Sequence, residues 1–407
     1  MAINYSHPTQ KVEKLVLLKN KRIIFISNSV IPEKDAGGGS VVVFRHLKRL
    51  KDAGYQIMII YISSSPAFNK PFPVEFDCIC LNKKNWYPPL RRRTPLLTNV
   101  RIYFTLNSLL SQVKFSSEHD ILLGVLGEVS NLLTLSIKNL FKVPYYLFYH
   151  DDTIFNRYAL QSLLTTKHVN NILKNADYIF PVSDSLTSLL KAKGINNAET
   201  LYPIPEGYNG PFKAHNNYSL KHLQFCYAGM IMMHVHFDIL DNISQAIYQF
   251  DGSLYCFTGP LDEFQPKYPE NIIIRDLLPT INQLQSFIIN NIDVVIVFYS
   301  FDLHHEPRMA SSFPSKFVEY AQLGIPILLI APAKSSLGMW ASKNNWLSYV
   351  NSDDPDIIAG TVMKFKNEEY WKKCQQQVLE HINNEFNPDL IHYNFTEKIL
   401  NSSTFNV

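Results

Sequence analysis

The sequence predicts an α/β chain of two domains, each built on a parallel β-sheet covered by helices on both faces. Three observations carry that expectation. Short, nearly continuous apolar runs alternate with segments of helical period, in two successive series. At 407 residues the chain is too long for one hydrophobic core and suits two domains of about 200 residues each. Between the two series lies Pro203-Ile204-Pro205-Glu206-Gly207-Tyr208-Asn209-Gly210-Pro211, dense in proline and glycine as an interdomain linker would be.

The first series opens with a strand over Arg22–Asn28 and passes a loop containing Gly37-Gly38-Gly39. A helix is expected over Ser40–Ala53, with apolar residues at Val43, Phe44, Leu47 and Leu50. Tyr55–Ile62 returns as a strand, and further strands are expected at His119–Val125, Val143–Tyr149 and Asp177–Val182. The second series places strands at Leu223–Ala228, Leu254–Phe257, Asn271–Ile274, Asp293–Phe298 and Ile325–Ile330, and the tail from Glu368 to Leu400 has a helical pattern. Each series reads as a Rossmann-like half.

Composition narrows the partners. Residues 1–210 hold 25 Lys+Arg against 15 Asp+Glu, whereas residues 211–407 hold 13 against 20, so the total of +3 conceals halves of +10 and −7. Part of the excess sits in Lys83-Lys84-Asn85-Trp86-Tyr87-Pro88-Pro89-Leu90-Arg91-Arg92-Arg93. A basic loop with Trp and Tyr suits an anionic membrane surface or a lipid-pyrophosphate acceptor, and a solvated surface loop would read the same way. No nucleic acid is expected. The five cysteines, at 78, 80, 226, 256 and 374, form no C-x-x-C pair. They are expected to be reduced and structural, in a cytoplasmic protein. The first 22 residues lack the apolar core of a signal peptide, and no apolar run reaches the roughly 18 residues needed to span a bilayer. The expectation is a soluble protein or one peripheral to the inner face of the plasma membrane.

The most informative stretch runs from Asp293 to Ile330: buried strand, polar loop, helix, tight turn and second buried strand. Pro314 suits a first helical turn, where its missing N–H would be unpaired anyway, and Gly324-Ile325-Pro326 is expected to stop the helix after about three turns. That would leave backbone N–H groups around Ser315 to Phe317 at the positive end of the helix dipole, with Lys316 adding a full charge. Glu319, one turn further in, could accept hydrogen bonds from vicinal hydroxyls of a ligand whose phosphates sit on the helix start. An ordinary helix with a solvated Lys and Glu is the plainer alternative.

Pro314, Ser315, Lys316, Glu319, Tyr320, Gly324 and Pro326 resemble the P-S-K-x-x-E-Y-x-x-x-G-x-P segment of retaining, two-domain (GT-B) glycosyltransferases of family 4. The resemblance implies two Rossmann-like domains facing across a cleft: an acceptor-binding domain over residues 1–210 and a nucleotide-sugar donor domain over 211–375. A helical segment over 376–407 would pack back on the first. It also implies that Glu319 binds the ribose while Ser315, Phe317 and Lys316 hold the diphosphate. Many family members follow the glycine of the first C-terminal strand with Arg, and with Lys about five residues later. This chain has Gly229-Met230-Ile231-Met232-Met233-His234 instead, and Ser311 where a second glutamate often stands. Arg308, whose guanidinium can bind phosphate through two parallel hydrogen bonds, is the expected compensator.

In the first half, Gly37, Gly38 and Gly39 resemble the family's acceptor-side loop, though a flexible turn would look the same. His150-Asp151-Asp152 follows the strand VPYYLFY at a carboxyl end, where open α/β sheets bind ligands. His150 is expected to contact a sugar hydroxyl or phosphate, with Asp151 as a contact or orienting partner; helix capping is the alternative. Glu128, ending another strand, could meet the acceptor or cap a helix. His304-His305-Glu306 and His234 with His236 lack the H-E-x-x-H spacing of zinc, and Asp354-Pro355-Asp356 reads as a helix cap rather than a metal-holding D-x-D. No metal or cofactor is expected.

The activity so implied is transfer of a sugar from a nucleoside-diphosphate sugar to the hydroxyl of a saccharide or lipid-linked saccharide acceptor, with retention, in bacterial surface polysaccharide or glycolipid synthesis. The leaving diphosphate would be stabilised by the 315–317 helix start, Lys316 and Arg308. Two other classes remain: a non-catalytic GT-B-fold binding protein, and a sugar-nucleotide 2-epimerase.

Overall fold

A computed structural model describes residues 21–34, 38–63, 75–82, 95–150, 164, 166–206, 222–229, 231, 235–258, 266–267, 269–302 and 309–401. The chain divides into two compact units, residues 1–201 with 392–407, and residues 202–391. Among the described residues no helix is long and apolar enough to cross a membrane.

Unit 1 contains strands β1 (Arg22–Ser27), β2 (Gln56–Ser63), β3 (Asp77–Asn82), β4 (Asp120–Val125), β5 (Tyr145–Tyr149) and β6 (Tyr178–Pro181). Its helices are α1 (Gly39–Asp52), α2 (Pro95–Leu110), α3 (Ser130–Phe141), α4 (Thr166–Asn175) and α5 (Asp184–Ala192). All six strands pair in parallel in the order β3-β2-β1-β4-β5-β6. Strands covered on both faces have no polar side to present, which is why β1 reads RIIFIS and β5 reads YYLFY, each residue of β5 being buried. β3 escapes the sequence reading: DCICLN is an edge strand with exposed and half-buried positions, so it has no continuous apolar run.

Unit 2 contains β7 (Gln224–Ala228), β8 (Ser253–Thr258), β9 (Ile272–Asp276), β10 (Val294–Phe298), β11 (Ile327–Ile330) and β12 (Tyr349–Val350). Its helices are α6 (Val235–Tyr248), α7 (Ile281–Asn291), α8 (Ser315–Ala321), α9 (Ser336–Lys343), α10 (Pro355–Lys364) and α11 (Glu368–Asn383). The order is β12-β11-β10-β7-β8-β9, again wholly parallel. Phe225, Leu254, Val294, Ile296 and Leu328 form the centre of its core. Asp354 caps α10, accepting from the N–H groups of Asp356 (2.9 Å) and Ile357 (3.2 Å).

The last helix, α12 (Pro388–Asn401), brings His392 and Phe395 into the core of unit 1. Phe395 packs on Phe148 and Phe180, with ring centroids 5.4 and 5.1 Å apart. From α1 comes His46, fully buried, its Nδ1 3.2 Å from Nδ1 of His392 and its ring 4.6 Å from Phe395. One Nδ1 must donate and the other accept, so the two rings cannot both become imidazolium without setting two N–H groups against each other. Burial first, then the facing His392, Arg49, His150 and Arg45, hold the His46 pKa well below 6.5.

A histidine buried neutral penalises folding only where the unfolded chain takes up the proton that the folded one refuses. Stability therefore falls as pH drops below about 6.5, by up to about 1.4 kcal/mol per pH unit. Urea denaturation at pH 7.5 and 5.5 is expected to show this loss, and His46→Phe, which suits the ring-lined site, to reduce it. An equal acid loss in the variant would place the proton uptake elsewhere.

Candidate functional site

Numbered from its own first strand, each sheet runs 3-2-1-4-5-6. That order reverses direction between its first and fourth strands, and in open α/β sheets the crevice at the carboxyl ends of those two strands receives ligands. In unit 1 the crevice follows β1 and β4; in unit 2 it follows β7 and β10.

In unit 1 the crevice is occupied by the protein itself. Glu128, 6% exposed, turns its carboxylate into the loop after β1. It accepts from the backbone N–H groups of Asn28 (3.1 Å), Ser29 (3.1 Å) and Val30 (2.8 Å). It also accepts from the hydroxyls of Ser27 (2.8 Å), Ser29 (2.5 Å) and Ser130 (2.9 Å). Three successive N–H groups pointing at one anion are the arrangement that elsewhere cradles phosphate. Asn28 completes the lock by accepting from the N–H of Ser130 at 2.8 Å.

Of the other expected acceptor-side residues, Gly38, Gly39 and His150 are described. Gly38 precedes α1 with φ 59°, a left-handed conformation that glycine adopts without strain. At Gly39 the His150 ring lies against the backbone, so that a Cβ there would sit 3.0 Å from its Cδ2. His150 is stacked on Phe148 with ring planes 7° apart. The structure thus brings Gly38, Gly39 and His150 together at the start of α1. Gly37, Asp151 and the Lys83–Arg93 segment lie outside the described residues.

In unit 2, α8 covers seven residues rather than the three turns expected. It ends at Ala321, and a turn over 322–324 closes with Gly324 at φ 63°. Phe317 is not available as a ligand donor: its N–H is engaged by the carbonyl of Pro314 at 3.1 Å. Its ring is buried against Trp340, Trp346 and Phe386 at 5.0–5.4 Å between centroids. Among the described residues no backbone carbonyl accepts from Ser315 or Lys316. The loop before the helix is held by Tyr299, whose Oη donates to the Ser312 carbonyl at 2.9 Å, and Ser311 is buried within it.

Lys316 reaches from α8 to the end of β7. Its Nζ lies 3.4 Å from Tyr227 Oη and 5.1 Å from the centre of the Tyr227 ring, which in turn stacks on Phe298 at the end of β10. The lysine chain crosses Gly229, φ 153°, so closely that a Cβ there would collide with Nζ and Cε. Tyr320, one turn on, donates to the Ala228 carbonyl at 2.5 Å and fixes the helix to the strand. Among the described residues no carboxylate pairs with Lys316, and burial brings its pKa down to about 8. Glu319 is buried; its Oε2 accepts from Gln322 Nε2 (3.2 Å) and from the N–H of Glu206 (3.4 Å). Arg308 lies outside the described residues. Tyr227 was not legible as a site residue, although an aromatic two positions before the glycine at a strand end was the available signal.

No family model matches the sequence, and no curated protein sequence matches it. Similarity is found among solved structures. A glycosyltransferase from Rickettsia africae is 13% identical with a TM-score of 0.68, covering 95% of this chain and 99% of that one. Sucrose-phosphate synthase from Thermosynechococcus elongatus is 13% identical with a TM-score of 0.63, covering 93% and 98%. TarM from S. aureus, solved with UDP, α-GlcNAc-glycerol and fondaparinux, is 9% identical with a TM-score of 0.63, covering 94% and 100%. The fold is therefore that of the GT-B glycosyltransferases, with two Rossmann-like domains.

Replacing Glu128 by Gln keeps the shape of the unit 1 lock but removes its charge and sets an NH2 group against donors. Each buried donor left without an acceptor costs about 1–3 kcal/mol. Urea unfolding of Glu128→Gln is expected to show a loss of at least that size, with nucleotide binding by the folded variant retained. Unchanged stability would mean that the hydrogen-bond set does not hold the loop.

Proposed function

We propose that the chain is a glycosyltransferase that moves a sugar from a nucleoside-diphosphate sugar to an acceptor hydroxyl, with the diphosphate held at the unit 2 crevice. The carrying observation is the ammonium of Lys316, suspended over Gly229 between β7 and α8 with no carboxylate partner among the described residues. A cation in such a place is stabilised by an arriving anion, and more so as the glycosidic bond breaks and charge collects on the leaving diphosphate. The contrast with unit 1 supports the assignment, because there a carboxylate already fills the equivalent crevice. The neighbouring structures add weight: TarM was solved with UDP, and an E. coli trehalose-6-phosphate protein with UDP-2-fluoro glucose.

In this reading the N–H groups of Ser315 and Lys316 contact the diphosphate together with Arg308, and Gly229 keeps the approach to β7 open. Glu319 accepts from the ribose hydroxyls, and Ser311 lies on the sugar side. Gly37, Gly38 and Gly39 with His150 and Asp151 form the saccharide-contacting group of unit 1, and Glu128 keeps that loop in place. Retention follows from the resemblance in the 314–326 segment: the departing phosphate oxygen takes the acceptor's proton on the same face. Synthesis of a bacterial surface polysaccharide or glycolipid is the proposed setting, with the Lys83–Arg93 segment meeting an anionic membrane.

Thermal shift with UDP, GDP, ADP and CMP tests the reading, since a ligand selective for the folded state adds about 2.7 kcal/mol at a hundredfold excess over its Kd. One diphosphate is expected to stabilise the protein, and Lys316→Ala, Glu319→Ala and Gly229→Ala to weaken that effect, the last by displacing the ammonium. No shift from any nucleotide with well-folded protein would overturn the proposal.

The pH dependence has a definite sign. Free Lys316 loses its proton as pH rises through about 8, whereas a bound diphosphate raises its pKa, so binding takes up a proton above that point. Affinity is expected to be level between pH 6.5 and 7.5 and to fall above about 8, by up to about tenfold per pH unit. Titration calorimetry in buffers of different ionisation enthalpy reads the proton directly. A flat response to pH 9.5 would remove Lys316 from the contact.

A further inference from the structure

We propose that the groove between α2, α3 and α4 of unit 1 binds a negatively charged saccharide chain, at a site separate from the strand-end crevices. The groove encloses about 1110 Å³, and none of Glu128, Gly39 and His150 is among the described residues that line it. Its floor is apolar, made by Leu106 of α2 with Leu132 and Leu135 of α3, all buried.

Three kinds of group converge above that floor. Lys167, Asn170, Asn171 and Lys174 fall at i, i+3, i+4 and i+7 of α4, so they form one stripe, and all four are exposed. The two ammonium groups belong to residues two helical turns apart, about 10 Å along the axis. Between them the two amides offer both donors and acceptors, as Asn139 does from α3, which matches the mixed hydrogen bonding of sugar hydroxyls. On the opposite wall Tyr103 is 61% exposed and presents a ring to the solvent, beside Phe104 at 64%. A flat amphipathic ring of this kind can cover the C–H face of a sugar while its hydroxyl stays wet.

Charge selects among saccharides. Among the described residues the lining contains Lys167, Lys174 and His168 and no acidic residue, and the sequence of α4 carries none along its length. Burial and then the Lys167 charge hold the His168 pKa below its usual value, consistent with a positive local field. Acid groups on every second ring of an extended chain would meet the two lysines while the intervening ring met the amides. A lipid bilayer fits less well. Its surface would leave the concave floor uncovered, because Leu106, Leu132 and Leu135 are buried while Tyr103 and Phe104 project.

Hyaluronan oligosaccharides, with a carboxylate on alternate rings, are the probe, and chitin oligosaccharides of equal length the neutral control. Titration calorimetry of the full chain is expected to show hyaluronan binding that weakens with salt and exceeds chitin binding. Lys167→Glu/Lys174→Glu should lower affinity about tenfold or more, and Tyr103→Ala several-fold, while Lys167→Arg/Lys174→Arg retains it. All these positions are exposed, so folding is preserved. Nucleotide thermal shift on the same variants should be unchanged, which separates failure here from failure of the transferase reading. Absent hyaluronan binding, equal chitin binding, or insensitivity to the charge reversal would each overturn the proposal. So would sedimentation with phosphatidylglycerol vesicles that depends on the same lysines without oligosaccharide binding, which would make this a membrane face.

Discussion

In both sheets every strand runs parallel to its neighbours, and a parallel strand can be re-entered only by a crossover that returns the chain to the opposite end. The helices that make those crossovers cover the sheet faces, so the strands carry almost no polar side chains of their own. Polar chemistry is thereby confined to the loops at the carboxyl ends, and the 3-2-1-4-5-6 order opens one crevice among them in each unit. Ser27, Asn28 and Glu128 in unit 1, and Tyr227, Gly229 and Lys316 in unit 2, stand where they do because the backbone leaves no other place for them.

Given equivalent crevices, the two units have opposite charge chemistry. Unit 1 supplies its own anion, and six hydrogen bonds compensate the burial of the Glu128 carboxylate. Unit 2 supplies a cation without such compensation. The cost is visible in the depressed Lys316 pKa and is borne by packing. Phe317 wedges α8 against Trp340, Trp346 and Phe386, and Tyr320 bonds the Ala228 carbonyl, so the helix cannot swing the ammonium out to water without breaking an aromatic core. A rigid, under-compensated cation is a preorganised one, and preorganisation is what separates transition-state stabilisation from mere attraction.

The two-sheet fold was legible because buried parallel strands leave continuous apolar runs, and the strand expected over Asp293–Phe298 differs from the observed β10 by one residue. The edge strand Asp77–Asn82 was not legible, since half its surface faces solvent and its pattern has no period to detect. Local chemistry followed the same rule. Lys316 and Gly229 could be singled out separately, but their close approach needs tertiary placement of two loops far apart in the chain, and no spacing encodes it. Glu128 stood out at a strand end, whereas its partners at Ser27 to Val30 lie a hundred positions away. For Phe317, the motif pattern does not encode that its N–H is taken up by the Pro314 carbonyl or that its ring anchors α8 in an aromatic core.

Net charge and local charge point in opposite directions here. Residues 211–407 sum to −7, yet the proposed diphosphate site lies among them, and residues 1–210 sum to +10 although their own crevice holds a carboxylate. Distance resolves the conflict. At physiological ionic strength exposed charges are screened over about 8 Å, so acids scattered over a domain surface act weakly on a ligand seated inside it. A single ammonium at contact, in surroundings of reduced dielectric, outweighs many such charges. Composition therefore informs what gathers around each half, while the crevice residues decide what is bound. In the proposed reading, the basic excess of the first half would enrich anionic chains near α4, whose lysines would act at short range, and Lys316 would be the local determinant of anion capture in the acidic second half.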